Sequence, residues 1–186
     1  MRIRWSHPER MTRLVLALLF VIPTAATASP VHADAEVDPT AYVLSGYSLH
    51  VGLGYERLRL DVGNFALAVP RAIHGNDAFD IGFDGFGAKL QWFPLAEQRR
   101  LVVGVDAAVA HVRVARRDTD LAVRDGQLQA GVDIGYRFAI AHGIYVTPWL
   151  GIGHAFGART VMLGGATYVP QRTLVFPAIH LGVAFR

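Results

Sequence analysis

The chain has no cysteine among its 186 residues, so disulfides, thiolate metal sites and a lipid-modified cysteine anchor are all excluded. Lysine is nearly as scarce: Lys89 is the only one, and every other cation is arginine. Long apolar runs are missing as well. The longest, Leu14–Ile22 (LVLALLFVI), falls well short of the ~20 residues a membrane helix requires. Past residue 28 the serines are Ser29, Ser45 and Ser48, which leaves few candidates for a serine nucleophile. An excess of positive charge is lacking too once the N-terminus is set aside.

That N-terminus has its own logic. Arg2, Arg4, Arg10 and Arg13 lead into the apolar run, Pro23 breaks it, and the small residues TAATA follow. Basic, apolar and small-residue regions in that order are the signature of a secretory signal. Residues 1–28 are therefore expected to be a signal peptide, with cleavage after Ala28 or, equally compatible, after Ala33; Met11 offers a more compact start. The formal charge of +3 is then misleading. Removing four of the 18 basic and one of the 15 acidic residues leaves 14 of each. A neutral mature chain argues against nucleic acid as a partner. Mean hydropathy is nevertheless +0.30, and 19 residues are glycine. For an exported chain without a membrane helix, β-structure is the remaining use for that apolarity.

Period-2 alternation supports this reading. In LQAGVDIGYRF (128–138), Leu128, Ala130, Val132, Ile134, Tyr136 and Phe138 alternate with Gln129, Asp133 and Arg137. Similar segments lie at about 47–66, 79–93, 101–115, 143–158 and 172–185. Phase shifts occur at Glu56-Arg57, where a bulge or a hairpin turn is expected, and at Gly85. Residues 29–41 (SPVHADAEVDPTA) read as a polar leader, and 42–186 as one domain. The links at 94–100 and 139–143 are short, whereas 67–78, 116–126 and 159–171 are longer and more polar. Gly164-Gly165 marks a hairpin that would extend the two flanking strands.

Spans such as Leu128–Phe138 match the roughly 9–11 tilted residues of a membrane strand and exceed the ~5–6 of an average soluble one. The fold class predicted is all-β: a small antiparallel transmembrane barrel of eight strands, six of them directly readable. Ala130, Val132, Ile134, Leu150 and Ile152 are expected to face lipid. The alternative is a soluble exported barrel or sandwich holding an apolar ligand. Its surface would have to be built largely from Gly and Ala, which is unlike soluble surfaces.

The final strand, with Ile179, Leu181, Val183 and Phe185 close to the C-terminus, resembles the terminal strand of bacterial outer-membrane β-barrels. In size the chain is similar to the small eight-stranded members, such as the OmpA-type transmembrane domain, OmpX and OmpW. The resemblance implies a Gram-negative outer-membrane location, lipid as the surrounding partner, and recognition by the barrel-assembly machinery through the strand ending at Phe185.

Signs of catalysis are weak. Three GxG pairs begin at Gly52, Gly85 and Gly151, and none becomes a GxGxxG turn. The histidines show no metal-ligand spacing. Outer-membrane lipid hydrolases pair a His and a Ser on one strand; Ser48 and His50 are the nearest equivalent here, in reversed order. No catalytic, cofactor or metal residue is assigned, and a non-enzymatic surface barrel or narrow pore is preferred over a lipid hydrolase. The candidate site is a lumen charge network of Glu56, Arg57, Arg59, Asp61, Lys89, Asp106, Asp133, Arg137 and His180. Asp133 and Arg137 share a face but lie about 13 Å apart by strand rise. Each is therefore expected to find a partner on a neighbouring strand, with Lys89, Asp106 and Arg57 or Arg59 as candidates.

Overall fold

A computed structural model describes residues 31–95 and 98–185; the expected signal peptide lies outside the described residues. The elements are β1 (Val31–Val37), α1 (Pro39–Val43), β2 (Tyr47–Tyr55), β3 (Leu58–Val69), α2 (Arg71–His74), β4 (Phe79–Trp92), β5 (Arg100–Arg116), β6 (Ala122–Ala141), β7 (Ile144–Phe156), β8 (Val161–Leu163), β9 (Ala166–Tyr168) and β10 (Thr173–Phe185). Eight of the strands pair in a closed antiparallel ring ordered β1-β10-β7-β6-β5-β4-β3-β2. Closure leaves no sheet edge unpaired, which is how all-β folds avoid edge-to-edge association. Among the described residues no helix is long and apolar enough to cross a membrane.

The tight turns follow from local chemistry. His142 and Gly143 both have positive φ, 50° and 83°, between the paired Ala141 and Ile144. That is the geometry of a two-residue turn twisted to match its strands. At Glu56-Arg57 the two readings resolve in favour of the turn: Glu56 has φ 49°, and Tyr55 pairs with Leu58. The 47–66 segment is thus two strands.

Three other expectations are revised. Residues 31–37 of the expected leader form β1, which pairs with both β2 and β10. Val31, Ala33, Ala35 and Val37 point outward, while Asp34 and Glu36 are buried; a strand this polar and Ala-rich reads as a loop when taken alone. The shift at Gly85 is not a change of register. Along β4 odd positions face inward throughout, from Phe79 and Ile81 to Lys89 and Gln91, while Phe86, Leu90 and Trp92 are exposed. Only the chemistry of the two faces exchanges. Finally, the Gly164-Gly165 hairpin forms, but β8 and β9 pair with each other as a separate ribbon and extend neither β7 nor β10. Tyr168 of that ribbon joins Phe79, Ile81 and Val114 in a small buried cluster at one end of the barrel.

Outside, cross-strand register stacks the apolar residues into a belt. Phe86, Val109, Leu128 and Phe156 form one row; Leu90, Val105, Val132, Ile152 and Val175 form another. From Leu128 to Phe138 the belt runs about 33 Å along β6, or about 25 Å in height at the ~40° tilt of membrane barrels.

Candidate functional site

The lumen holds the charges. Arg59 on β3 is 1% exposed and donates from Nε to Asp34 Oδ2 at 2.9 Å and from Nη1 to Gln91 Oε1 at 2.8 Å. Its Nη2 lies 2.9 Å from Asp61 and 3.4 Å from Glu36. Glu36 also takes Arg137 Nη2 on one oxygen and His180 Nδ1 on the other, each at 2.8 Å. His50 Nδ1 donates to Asp61 at 2.9 Å, and the His50 and His180 rings lie 4.9 Å apart. Arg137 packs its guanidinium 4.0 Å from the Tyr145 ring centroid. The hydrogen bonds and ion pairs tie together six strands, β1, β2, β3, β4, β6 and β10, and the Tyr145 contact adds β7.

Pairing is what permits such burial, because a lone charge inside a protein costs several kcal/mol. Space comes from glycine. A Cβ on Gly52 would collide with Arg59 and Asp34, and one on Gly63 with the His50 ring. Small residues opposite long ones are what a barrel this narrow needs, since eight strands leave room for little more than side chains.

The network separates two cavities. One, of about 400 Å³, opens among α1, α2 and the β8–β9 ribbon. Its walls include Phe65, Ile81, Phe83, Val112 and Phe176, with His50, Asp61, Lys89 and His180 toward its inner end. The other, of about 380 Å³, lies at the opposite end against His32, Gln98, Arg137, Tyr145 and the His142-Gly143 turn.

Of the nine residues expected here, Arg59, Asp61, Arg137 and His180 belong to the network, each 5% exposed or less. Lys89 and Asp106 are cross-strand neighbours farther along the lumen, with Lys89 Nζ 3.6 Å from the Trp149 ring centroid. Glu56 and Arg57 do not point inward. They form the exposed β2–β3 turn, where Arg57 donates to the Pro94 carbonyl. Arg137 finds its partners across the barrel on β1, not among the acids expected. Asp133 is 5% exposed and forms no ion pair among the described residues; Gln91 and Lys89 are its polar neighbours. Sequence reading missed Asp34, Glu36, His50 and Gln91. The first two were hidden in the presumed leader, although their alternation with Ala33 and Ala35 was there to be found.

Asp61 orients His50 as it would a general base, but among the described residues Ser48 is not hydrogen-bonded to the His50–Asp61 pair. No group of three or more His, Asp or Glu among them is arranged to hold a metal.

No protein-family model and no curated protein matches the chain. Solved structures do. A major outer membrane protein from Thermus thermophilus aligns over 83% of this chain and 98% of its own, with TM-score 0.55 and 10% identity. The N-terminal β-barrel domain of Pseudomonas aeruginosa OprF covers 83% and 96%, with TM-score 0.44 and 13% identity. Neisserial surface protein A (NspA) covers 84% and 97%, with TM-score 0.49 and 16% identity. At such identities the likeness is one of fold, and the Thermus protein is the one that carries it: this chain has the fold of an outer-membrane β-barrel protein.

Proposed function

We propose that the protein is a non-enzymatic, integral outer-membrane β-barrel whose lumen is blocked by its ion-pair network. One observation carries this reading. On β6 the apolar residues are outside, with Leu128, Val132, Ile134 and Phe138 about half exposed, while the interleaved Asp133 and Arg137 are buried. That inverts the soluble pattern and is the pattern of a strand with lipid on one face and a polar lumen on the other. The end bearing α1, α2 and the β8–β9 ribbon then lies on the extracellular side and the end bearing the His142-Gly143 turn on the periplasmic side. The expected division into short and long links is not strict, since β6 begins at Ala122 and leaves a β5–β6 link shorter than that between β4 and β5. Expression with the native N-terminus, followed by fractionation, tests the reading. The protein should leave the membrane only with detergent and should migrate faster on a gel before boiling than after. Recovery in the aqueous fraction without detergent would overturn it.

A second reading rests on the larger cavity. Barrel lumens are normally polar, whereas this end is walled by aromatic and aliphatic side chains. Lys89 at its inner end faces Asp106, so the charge there is matched and the cavity suits a small uncharged apolar molecule. A Trp92→Phe protein keeps Trp149 at the inner end as its sole mature tryptophan, the outward indole being removed. Saturable quenching of that indole by a brominated alkane, abolished by Ala108→Phe at the cavity wall, would support it; quenching that survives the substitution would exclude it.

A further inference from the structure

We infer that the outer face of β4–β6, just beyond the apolar belt, is a binding site for the phosphate of a membrane lipid. The site rests on the membrane reading but on none of the lumen residues. Two cross-strand rows above the Phe86–Val109–Leu128 row define it. One runs Gly82–Arg113–Arg124 and the next Asp84–His111–Gly126. Two arginines therefore stand directly opposite each other on adjacent strands, an arrangement that is destabilising when nothing of opposite charge lies between them. The acids nearby are already engaged. Asp84 pairs with Arg124 and lies 3.8 Å from His111 Nδ1; Asp80 pairs with Arg117 at 2.6 Å. Arg113 has no acidic partner among the described residues.

The neighbouring positions on this face carry small residues. The rows continue onto β3 as Ala68 and Ala66 and end at Gly126, over which the His111 ring lies. Two guanidinium groups and one imidazole thus stand together on the outer face, directly above the belt. A guanidinium fork matches a phosphate in charge and in bidentate geometry. Acyl chains packed on Phe86 and Leu128 would place a lipid phosphate at the height of Arg113. Lipid phosphate, and not free phosphate, is the occupant because the two arginines stand on the same outward face as the belt, two rows above Phe86 and Leu128.

A local reporter tests this. In protein that begins at Ser29 and so lacks Trp5, a variant with Val109→Trp, Trp92→Phe and Trp149→Phe has a single indole in the belt row beneath the site, while a variant with Trp149→Phe alone keeps only Trp92 at the opposite edge. Each is placed in phosphatidylcholine vesicles containing brominated phosphatidic acid or brominated phosphatidylcholine, and quenching gives the relative association of the two lipids at each indole. Phosphatidic acid should be favoured several-fold at position 109 and not at Trp92. Arg113→Gln should reduce that preference about fivefold, the worth of one arginine at a membrane surface. Asp84→Asn, which frees Arg124, should increase it. Equal quenching by both lipids at position 109, or a preference untouched by Arg113→Gln, overturns the inference. So does a preference erased by millimolar inorganic phosphate, which would mark a free-anion site. Failure of either lipid to quench either indole would instead overturn membrane insertion itself, and the lipid site with it.

Discussion

Glu36 joins three groups from three strands, Arg137, His180 and Arg59, on one carboxylate. Glu36→Ala should lower unfolding stability by about 3–5 kcal/mol, because it strands a buried guanidinium; equilibrium denaturation in lipid vesicles would measure it. Asp133 should behave in the opposite way. With no ion pair of its own among the described residues and its carboxylate lying against Gly104 across the strand pair, it bears a desolvation cost that its neighbours Gln91 and Lys89 offset only in part. Asp133→Asn should leave stability unchanged or raise it, where sequence alone predicts a loss through a stranded partner. A loss as large as that of Glu36→Ala would show that Gln91 and Lys89 offset the desolvation in full. Outside, Val132 is 57% exposed in the middle of the belt. Val132→Arg should cost ~2–4 kcal/mol if that belt meets hydrocarbon, and little if it meets water. The surviving fraction of fast-migrating, unboiled protein is the readout.

Strands were legible in proportion to how hydrophobic their outward positions are. β5, β6, β7 and β10 carry Val, Leu, Ile or Phe at half or more of their outward positions. β5, β7 and β10 are readable to within two residues of their ends. β6 begins six residues before the span 128–138, where its outward positions are Ala, Arg and Gly. β1 was not, because Ala33 and Ala35 carry too little apolar surface to mark an outer face and Pro30 and Pro39 bracket it like a linker. The network was half visible for the same reason: Arg59, Asp61, Arg137 and His180 stand on readable strands, whereas Asp34 and Glu36 stand on the hidden one. Faces followed from alternation, but partners did not. Which charges meet across a lumen depends on ring order and register, neither of which one strand's pattern contains. β1 also separates the two cleavage positions. Processing after Ala33 would remove Val31, His32 and Ala33, which pair with Tyr55, Gly54 and Leu53; processing after Ala28 spares them. N-terminal sequencing of the membrane-extracted protein is therefore expected to begin at Ser29, and a start at Asp34 would contradict the role given to β1.

For the molecule as a whole, the network sits where any conducting path would pass. Arg59→Ala removes the group shared by Asp34, Glu36, Asp61 and Gln91 and leaves three carboxylates facing the gap. In planar bilayers the native protein should be nearly silent, and the variant should carry a small cation-selective current. A silent variant would assign the block to the packing of Phe93, Tyr145 and Arg137 instead. The ring closure described above also sets the timing of folding. β1, the first strand made, is flanked by β2 and by β10, the last, so the cylinder cannot shut until its two ends meet; such distant pairings are slow to form. Until then Arg137 on β6 and His180 on β10 lack the Glu36 carboxylate of β1 that neutralises them, whereas Arg59 has Asp61 on its own strand and reaches β1 through β2. The closing seam thus acts as an electrostatic latch: an open-sided intermediate exposes unmatched charge, and the last strand pair to form is also the one that restores neutrality.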